Sequence, residues 1–219
     1  MKKLMIFLSL IVSVVVQGID VEERTYNYRE TNFIIEGRIP VFKEGDRTVS
    51  TGAHDKFQMM SEIIALESGR YFTEERGSAL HSFILKGDFS KKNNKLGVDS
   101  FLVKTYYFTG GEHGMILESP YNFYKGKILN LEDIFKKDVN YKRLIKNKIE
   151  EIIIEEDPSL FYENVTVREK EFKFFFEEDN LVIIFNPYEI GPHESGIPAF
   201  KIPVSDISDH LRTSFTAAQ

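Results

Sequence analysis

Two apolar runs, Phe172-Lys173-Phe174-Phe175-Phe176 and Leu181-Val182-Ile183-Ile184-Phe185, flank the turn residues Glu178-Asp179-Asn180 and restrict the fold more than any other stretch. Aromatic and β-branched residues in short runs bounded by turn formers predict a hairpin. Neither run alternates with polar residues as a half-exposed strand does, so both faces need cover. The second run opens into a loop, Asn186 to Gly196, that holds Gly, Pro, Tyr188, Glu189, His193, Glu194 and Ser195. A buried strand that feeds a shaped polar loop is how folds commonly present chemistry.

Two amphipathic segments offer part of that cover. Tyr141, Leu144, Ile145, Ile149, Ile152 and Ile153 line one face of a helix that Asn140 caps and Asp157-Pro158 stops, while Lys and Glu fill the other face. Phe57, Met60, Ile63, Ile64 and Glu67 sit at helical spacing between Asp55 and Ser68, and Gly69 stands where a C-terminal stop belongs. Between and around these helices the chain reads mostly as strands. Val21 to Arg29 is a linker into an edge strand, and Asn32 to Phe42 is a strand that leaves its sheet at Pro40. Leu80 to Phe89 is another, followed by Lys91 to Lys95 as a solvated turn.

Ser100 to Phe108 and Met115 to Tyr124 bracket Thr109-Gly110-Gly111-Glu112-His113-Gly114, a hairpin with a wide loop, and Lys125-Gly126 makes the next turn. Asn130 caps a short helical turn from Leu131 to Phe135. Ala199 to Val204 is a strand ended by Pro203, with Ser205 or Asp206 capping a terminal helix through Leu211. Sequential strands that outnumber the helices predict an α+β fold, a mainly antiparallel sheet with two main helices packed on it.

At the N-terminus, Lys2 and Lys3 precede an apolar block from Leu4 to Val16, and small or modest residues stand at Val16 and Gly18. This is the pattern of a signal peptide cleaved after Gly18. The block is short for a membrane span of about 20 apolar residues, although an uncleaved anchor is the structural alternative. Removing the first 18 of 219 residues leaves 201 and takes the formal net charge from −6 to −8. The expected location is secreted or periplasmic, with no stable membrane span after cleavage. An acidic chain suits no nucleic acid, whose affinity comes from Lys and Arg on phosphates. It suits a basic protein partner. The chain has no Cys, so neither a lipid anchor nor a disulfide framework is expected, and its 19 Phe and 10 Tyr must supply the core.

The candidate site lies in two loops. The glycines at 110, 111 and 114 permit positive φ and a backbone nest for an anion, with Glu112 and His113 as side-chain contacts; the plainer reading is a flexible hairpin loop. In the second loop Tyr188, Glu189, His193, Glu194 and Ser195 can converge on a ligand. No i,i+4 histidine pair exists among His54, His81, His113, His193 and His210, so no metal or other cofactor is expected. Ser195 lies outside any G-x-S-x-G elbow, and Glu74-Glu75, Glu155-Glu156 and Glu177-Glu178 fall in polar runs. No catalytic residue is assigned.

The succession Gly110 to Gly114, Tyr121-Asn122-Phe123-Tyr124, Leu129 to Phe135, Asp179 to Ile190 and Gly196 to Pro203 resembles the extracytoplasmic domain of the RsiV-type anti-sigma factors, a domain of unknown function also met in secreted bacterial proteins. Tyr28 to Pro40 with the following helix looks like its companion domain, also found beside the catalytic domain of the peptidoglycan deacetylase PdaC. The resemblance implies domains over 19–95 and 96–219 after a signal peptide at 1–18. It also implies an envelope-facing binding protein, since in the RsiV branch the domain is a receptor for lysozyme, a basic protein. Only Lys2 and Lys3 precede the apolar block, so no sigma-factor-holding segment is expected, and PdaC's activity does not carry over. The reading is a non-catalytic binder of a cell-wall glycan or of a lysozyme-like basic protein. Its rivals are a metal- or carboxylate-dependent hydrolase of peptidoglycan and a scaffold that only oligomerises.

Overall fold

The computed structural model describes residues 18–74, 83–155, 161 and 172–216. The leader, the first residues of the strand expected from Leu80 and the Asp157-Pro158 helix stop lie outside the described residues. Among the described residues ten strands follow in chain order: β1 (Asp20–Arg29), β2 (Phe33–Glu44), β3 (Arg47–Ser50), β4 (Phe83–Lys92), β5 (Asp99–Phe108), β6 (Met115–Tyr124), β7 (Lys127–Ile128), β8 (Lys173–Glu177), β9 (Asn180–Ile184) and β10 (Ala199–Pro203). The helices are α1 (Gly52–Glu74), α2 (Tyr141–Glu155) and the single turn α3 (Val204–Ile207).

The α+β class holds, but a single sheet does not, and mainly antiparallel is not exact. The described residues form two sheets. The large one runs β1-β2-β4-β5-β6-β7, with β3 also on β2; the small one runs β10-β9-β8 and is antiparallel throughout. The large sheet is mixed, because β2 and β4 pair parallel from Phe33 on Phe83 to Gly37 on Gly87. The long α1 between them supplies the crossover that parallel neighbours need.

Period-two alternation along β5 decides the layering. Phe101 and Val103 join Ile35, Ile39, Phe42, Phe57 and Ile64 in one core, which seats α1 on that face of the large sheet. Leu102 points the other way and is buried with Phe175, Val182 and Ile184 of the small sheet. The far face of the small sheet, with Phe174, Phe176, Leu181, Ile183, Phe200 and Ile202, packs on Ile145, Ile149 and Ile153 of α2. The order of layers is thus α1, large sheet, small sheet, α2. The two apolar strands are covered on both faces, as their lack of alternation requires.

Local features follow their residues, with some corrections. Asn140 Oδ1 accepts from the Arg143 N–H at 3.2 Å and caps α2. Gly69 does not end α1, which continues to Glu74. An interior glycine costs a helix about 1 kcal/mol, and the burial of Phe57 and Ile64 outweighs it. Pro40 does not end β2 either; it faces Glu23 of β1 in a stretch between the β4 and β3 pairings, where the other edge of β2 has no partner. The turn from Glu178 to Asp179 is tight because Glu177 pairs with Asn180, and Glu178 takes φ 54°. The terminal helix is only the α3 turn plus a 3₁₀ turn, Ser208–His210, and Pro203 rather than Ser205 or Asp206 stands at its N-cap. Of the lysines at 91–95, Lys92 ends β4 with its Nζ on Glu177 at 3.0 Å, and Lys95 stays exposed in the turn with its Nζ on Asp179 at 2.6 Å.

Candidate functional site

The face of the large sheet that carries Leu102 is apolar only where the small sheet covers it. Two residues further along β5 it becomes polar. Lys104 pairs with Asp88 on one side and Glu118 on the other, and Tyr106 pairs with Lys86 and Ile116. Arg38 Nη2 donates to Asp88 Oδ1 at 3.0 Å, so Arg38, Asp88, Lys104 and Glu118 form a ladder of alternating charge across four strands. A cavity of about 620 Å³ overlies its β1–β5 part and a second, of about 300 Å³, its β5–β6 part. Lys104 and Tyr106 line both, so the two adjoin across β5 along one polar trough.

The loop after β9 closes one end of this trough, and its own hydrogen bonds fix its place. Asn186 Oδ1 accepts from the Glu118 N–H at 3.0 Å, which pins the loop to β6. Glu189 Oε2 accepts from the Asn186 N–H at 2.8 Å and Glu189 Oε1 pairs with Lys173 Nζ at 3.0 Å. Glu189 therefore braces a turn, and Tyr188 stands at its crest with φ 66° and its ring half exposed. Pro192 then leads into a 3₁₀ turn, His193–Ser195, that ends at Gly196 with φ 66°.

Of the residues expected from the sequence, three come together. The rings of His113 and His193 stack with centroids 5.3 Å apart and planes at 25°. Tyr188 stands 5.9 Å from His193. His193 Nε2 also lies 3.4 Å from the Gly114 carbonyl oxygen. Glu112 and Glu194 are exposed on the two lobes that the histidines join, and Ser195 is half buried. Among the described residues no three His, Asp or Glu gather closely enough to hold a metal.

Glu118, Lys104, Tyr106 and Ile116 were not apparent as site residues from the sequence. Their signal is the interruption of apolar strands by charge, Lys104 within Phe101 to Phe108 and Glu118 within Met115 to Tyr124. Burial pushes the Glu118 carboxyl above the usual carboxylate range, against the pull of Lys104 and Lys92. Gly114 is required beside Tyr106: a Cβ there would lie 2.2 Å from the Tyr106 hydroxyl oxygen. The site offers two imidazoles and two phenols as ring surfaces, one carboxyl with raised proton affinity, and a row of charged hydrogen-bonding groups.

This architecture is that of a sheet-rich α+β domain with a polar trough at the mouth between its two sheets. Residues 132–205 match DUF3298, described as a protein of unknown function, so the chain carries a DUF3298 domain. That span holds α2, the small sheet and the Tyr188–Ser195 loop, while Glu112 and His113 come from outside it. The chain is 26% identical over 151 residues to the peptidoglycan-N-acetylmuramic acid deacetylase PdaC of Bacillus subtilis (strain 168), a match that covers 58% of this chain and 32% of that protein. It thus spans about a third of the length of that curated relative. A crystal structure of a DUF3298 family protein from Pseudomonas aeruginosa PAO1 superposes with TM-score 0.61 at 13% identity, covering 93% of this chain and 98% of that one. Another, from Bacteroides fragilis NCTC 9343, gives 0.59 at 15% identity, with coverages of 90% and 94%. At these identities the likeness is one of fold.

Proposed function

We propose that this protein is an exported, non-catalytic binding protein of the bacterial envelope, which takes a cell-wall glycan into the trough between the open face of the large sheet and the 186–196 loop. The observation that carries this reading is that the two cavities adjoin at Lys104 and Tyr106. A glycan strand is a long polar chain whose hydroxyls and amides need many donors and acceptors and whose ring faces stack on aromatic groups. The charge ladder supplies the first, and Tyr106, Tyr188 and the histidines supply the second. Export is supported by the leader pattern of residues 1–18, and an envelope role by the RsiV-type resemblance and by the relative named for action on peptidoglycan. No helix among the described residues is long and apolar enough to cross a membrane.

Binding rather than hydrolysis is favoured by how the acidic groups of β2 and β4 are engaged, since cleavage by carboxylates needs a pair and Glu118 alone among the described trough carboxyls has a raised proton affinity. Asp88 is held by Arg38, and Glu36 is held by Arg29 at 2.6 Å and Lys86 at 3.6 Å. A second reading has its own support. Exposed Glu112 and Glu194 flank the stacked histidines, an arrangement suited to a lysozyme-like basic protein in an acidic chain.

Calorimetry against purified peptidoglycan fragments and against lysozyme, at low and moderate salt, separates these readings. Saturable fragment binding that weakens about tenfold in Tyr106→Ala and in His193→Ala, the size of a ring-contact loss, supports the glycan. Flat fragment titrations sink it, and salt-sensitive lysozyme binding then points to the protein ligand. Release of soluble product from peptidoglycan overturns the non-catalytic assignment.

A further inference from the structure

α1 carries an outward stripe that neither core uses. Met59, Ile63 and Leu66 are 56%, 49% and 58% exposed, although all three are large and apolar. At 100° per residue they fall within an arc of about 60°, turned well away from the Phe57 and Ile64 face that packs on the large sheet. Arg70 lies on the same arc and Asp55 about 20° beside it, one turn after Leu66 and one turn before Met59, with side chains 63% and 64% exposed; within the chain Arg70 pairs with Glu67 at 3.2 Å and Asp55 accepts from the Thr51 hydroxyl at 2.6 Å. The stripe therefore reads acid, three apolar residues, base.

We infer that α1 is the interface of a two-fold symmetric homodimer, in which this stripe meets its own copy in antiparallel register. The argument is charge complementarity under that symmetry. Asp55 and Arg70 are equidistant from a point midway between residues 62 and 63, and so are Met59 and Leu66. An axis through that point sets Asp55 against the partner's Arg70, Met59 against the partner's Leu66, and the two copies of Ile63 beside each other. Both ends of the stripe, about 22 Å apart along the helix, then add an opposite charge from the partner to the contacts that Asp55 and Arg70 make within their own helix. A parallel pairing would instead set Asp55 on Asp55 and Arg70 on Arg70. Helix-to-helix packing of this kind buries the apolar centre and leaves the ion pairs at the rim. The trough lies on the opposite face of the large sheet, so both protomers of such a dimer keep their sites open and bind a repeating polymer at two points.

Light scattering after size exclusion, at tens of micromolar protein, should give twice the chain mass. Ile63→Glu should halve it and leave the far-ultraviolet circular dichroism unchanged, since this side chain is exposed. The native sequence has no Cys, which allows a register test that does not depend on that variant. Mixed Met59→Cys and Leu66→Cys proteins should join through a short bis-maleimide, and either alone should join far less. A chain mass of one protomer, a dimer indifferent to Ile63→Glu, or efficient linking of Met59→Cys to itself would each overturn the inference. So would a monomer that uses the stripe to bind lipid vesicles.

Discussion

The side-chain amide of Asn122, on β6, donates to the main-chain carbonyl of Phe174, on β8, at 2.7 Å. β8 is the edge of the small sheet, so this carbonyl has no strand partner on that side. Ser100 completes the joint: its hydroxyl donates to Asn122 Oδ1 at 2.7 Å and its Oγ accepts from the Phe176 N–H at 3.1 Å. Both side chains are buried. Two polar residues thus satisfy an edge strand inside the protein and lock the two sheets together. A buried network of this kind is costly to break, because each removed partner leaves a desolvated group unpaired. Asn122→Ala is expected to lower unfolding free energy by about 2–3 kcal/mol, as measured by urea denaturation.

The contact of β2 with β4 depends on an absent side chain. A Cβ on Gly87 would lie 2.4 Å from Ile39 Cδ1 and 2.5 Å from Phe57 Cε2. Gly87→Ala therefore overpacks the α1 core and should cost about 1–3 kcal/mol. A drop in thermal midpoint, without change in the register of α2 contacts by hydrogen exchange, checks it.

Gly114→Ala tests the site instead of the core. The new methyl displaces the Tyr106 ring from the trough. Fragment binding should fall by about as much as in Tyr106→Ala, roughly tenfold. Stability should change by less than about 1 kcal/mol, since the loop is exposed.

Two glutamates give opposite pH dependences. Burial raises the folded pKa of Glu118, so its favourable contribution is complete below the ordinary carboxylate range and is lost as pH rises through that higher value. Glu118→Gln, neutral at all pH, should raise the melting temperature at pH 7 by about 1–2 °C and change little in acid. Glu177 is the reverse case. Hydrogen bonds from Lys92, and then Lys201, lower its pKa, so its contribution is present above the ordinary range and is lost as pH falls through the lower value. Glu177→Gln should cost about 0.5–1 kcal/mol at pH 7 and approach nothing in strong acid. Thermal scans between pH 3 and pH 8 separate the two signs.

The amino-acid sequence by itself determined the elements whose causes are local. The hairpin of β8 and β9, the Asn140 cap and apolar face of α2, the β5–β6 pair and the Lys125-Gly126 turn all follow from period, capping and turn chemistry among residues close in the chain. Two loops were legible as candidate sites for the same reason, because Gly, Pro and clustered polar residues end strands. Their meeting was not legible. His113 and His193 are 80 residues apart, and no local pattern sets that distance.

What the tertiary structure alone decided is how the sheets divide and where cover stops. Lys104 interrupts an apolar strand, but nothing local shows that the small sheet buries Leu102, two positions away on the same face, and leaves Lys104 at a trough. The parallel pairing of β2 with β4, the buried Ser100 and Asn122, and the role of Glu118 are of the same kind. Each depends on burial and on partners from distant segments, and burial is a property of the packed molecule, not of a residue's neighbours in sequence.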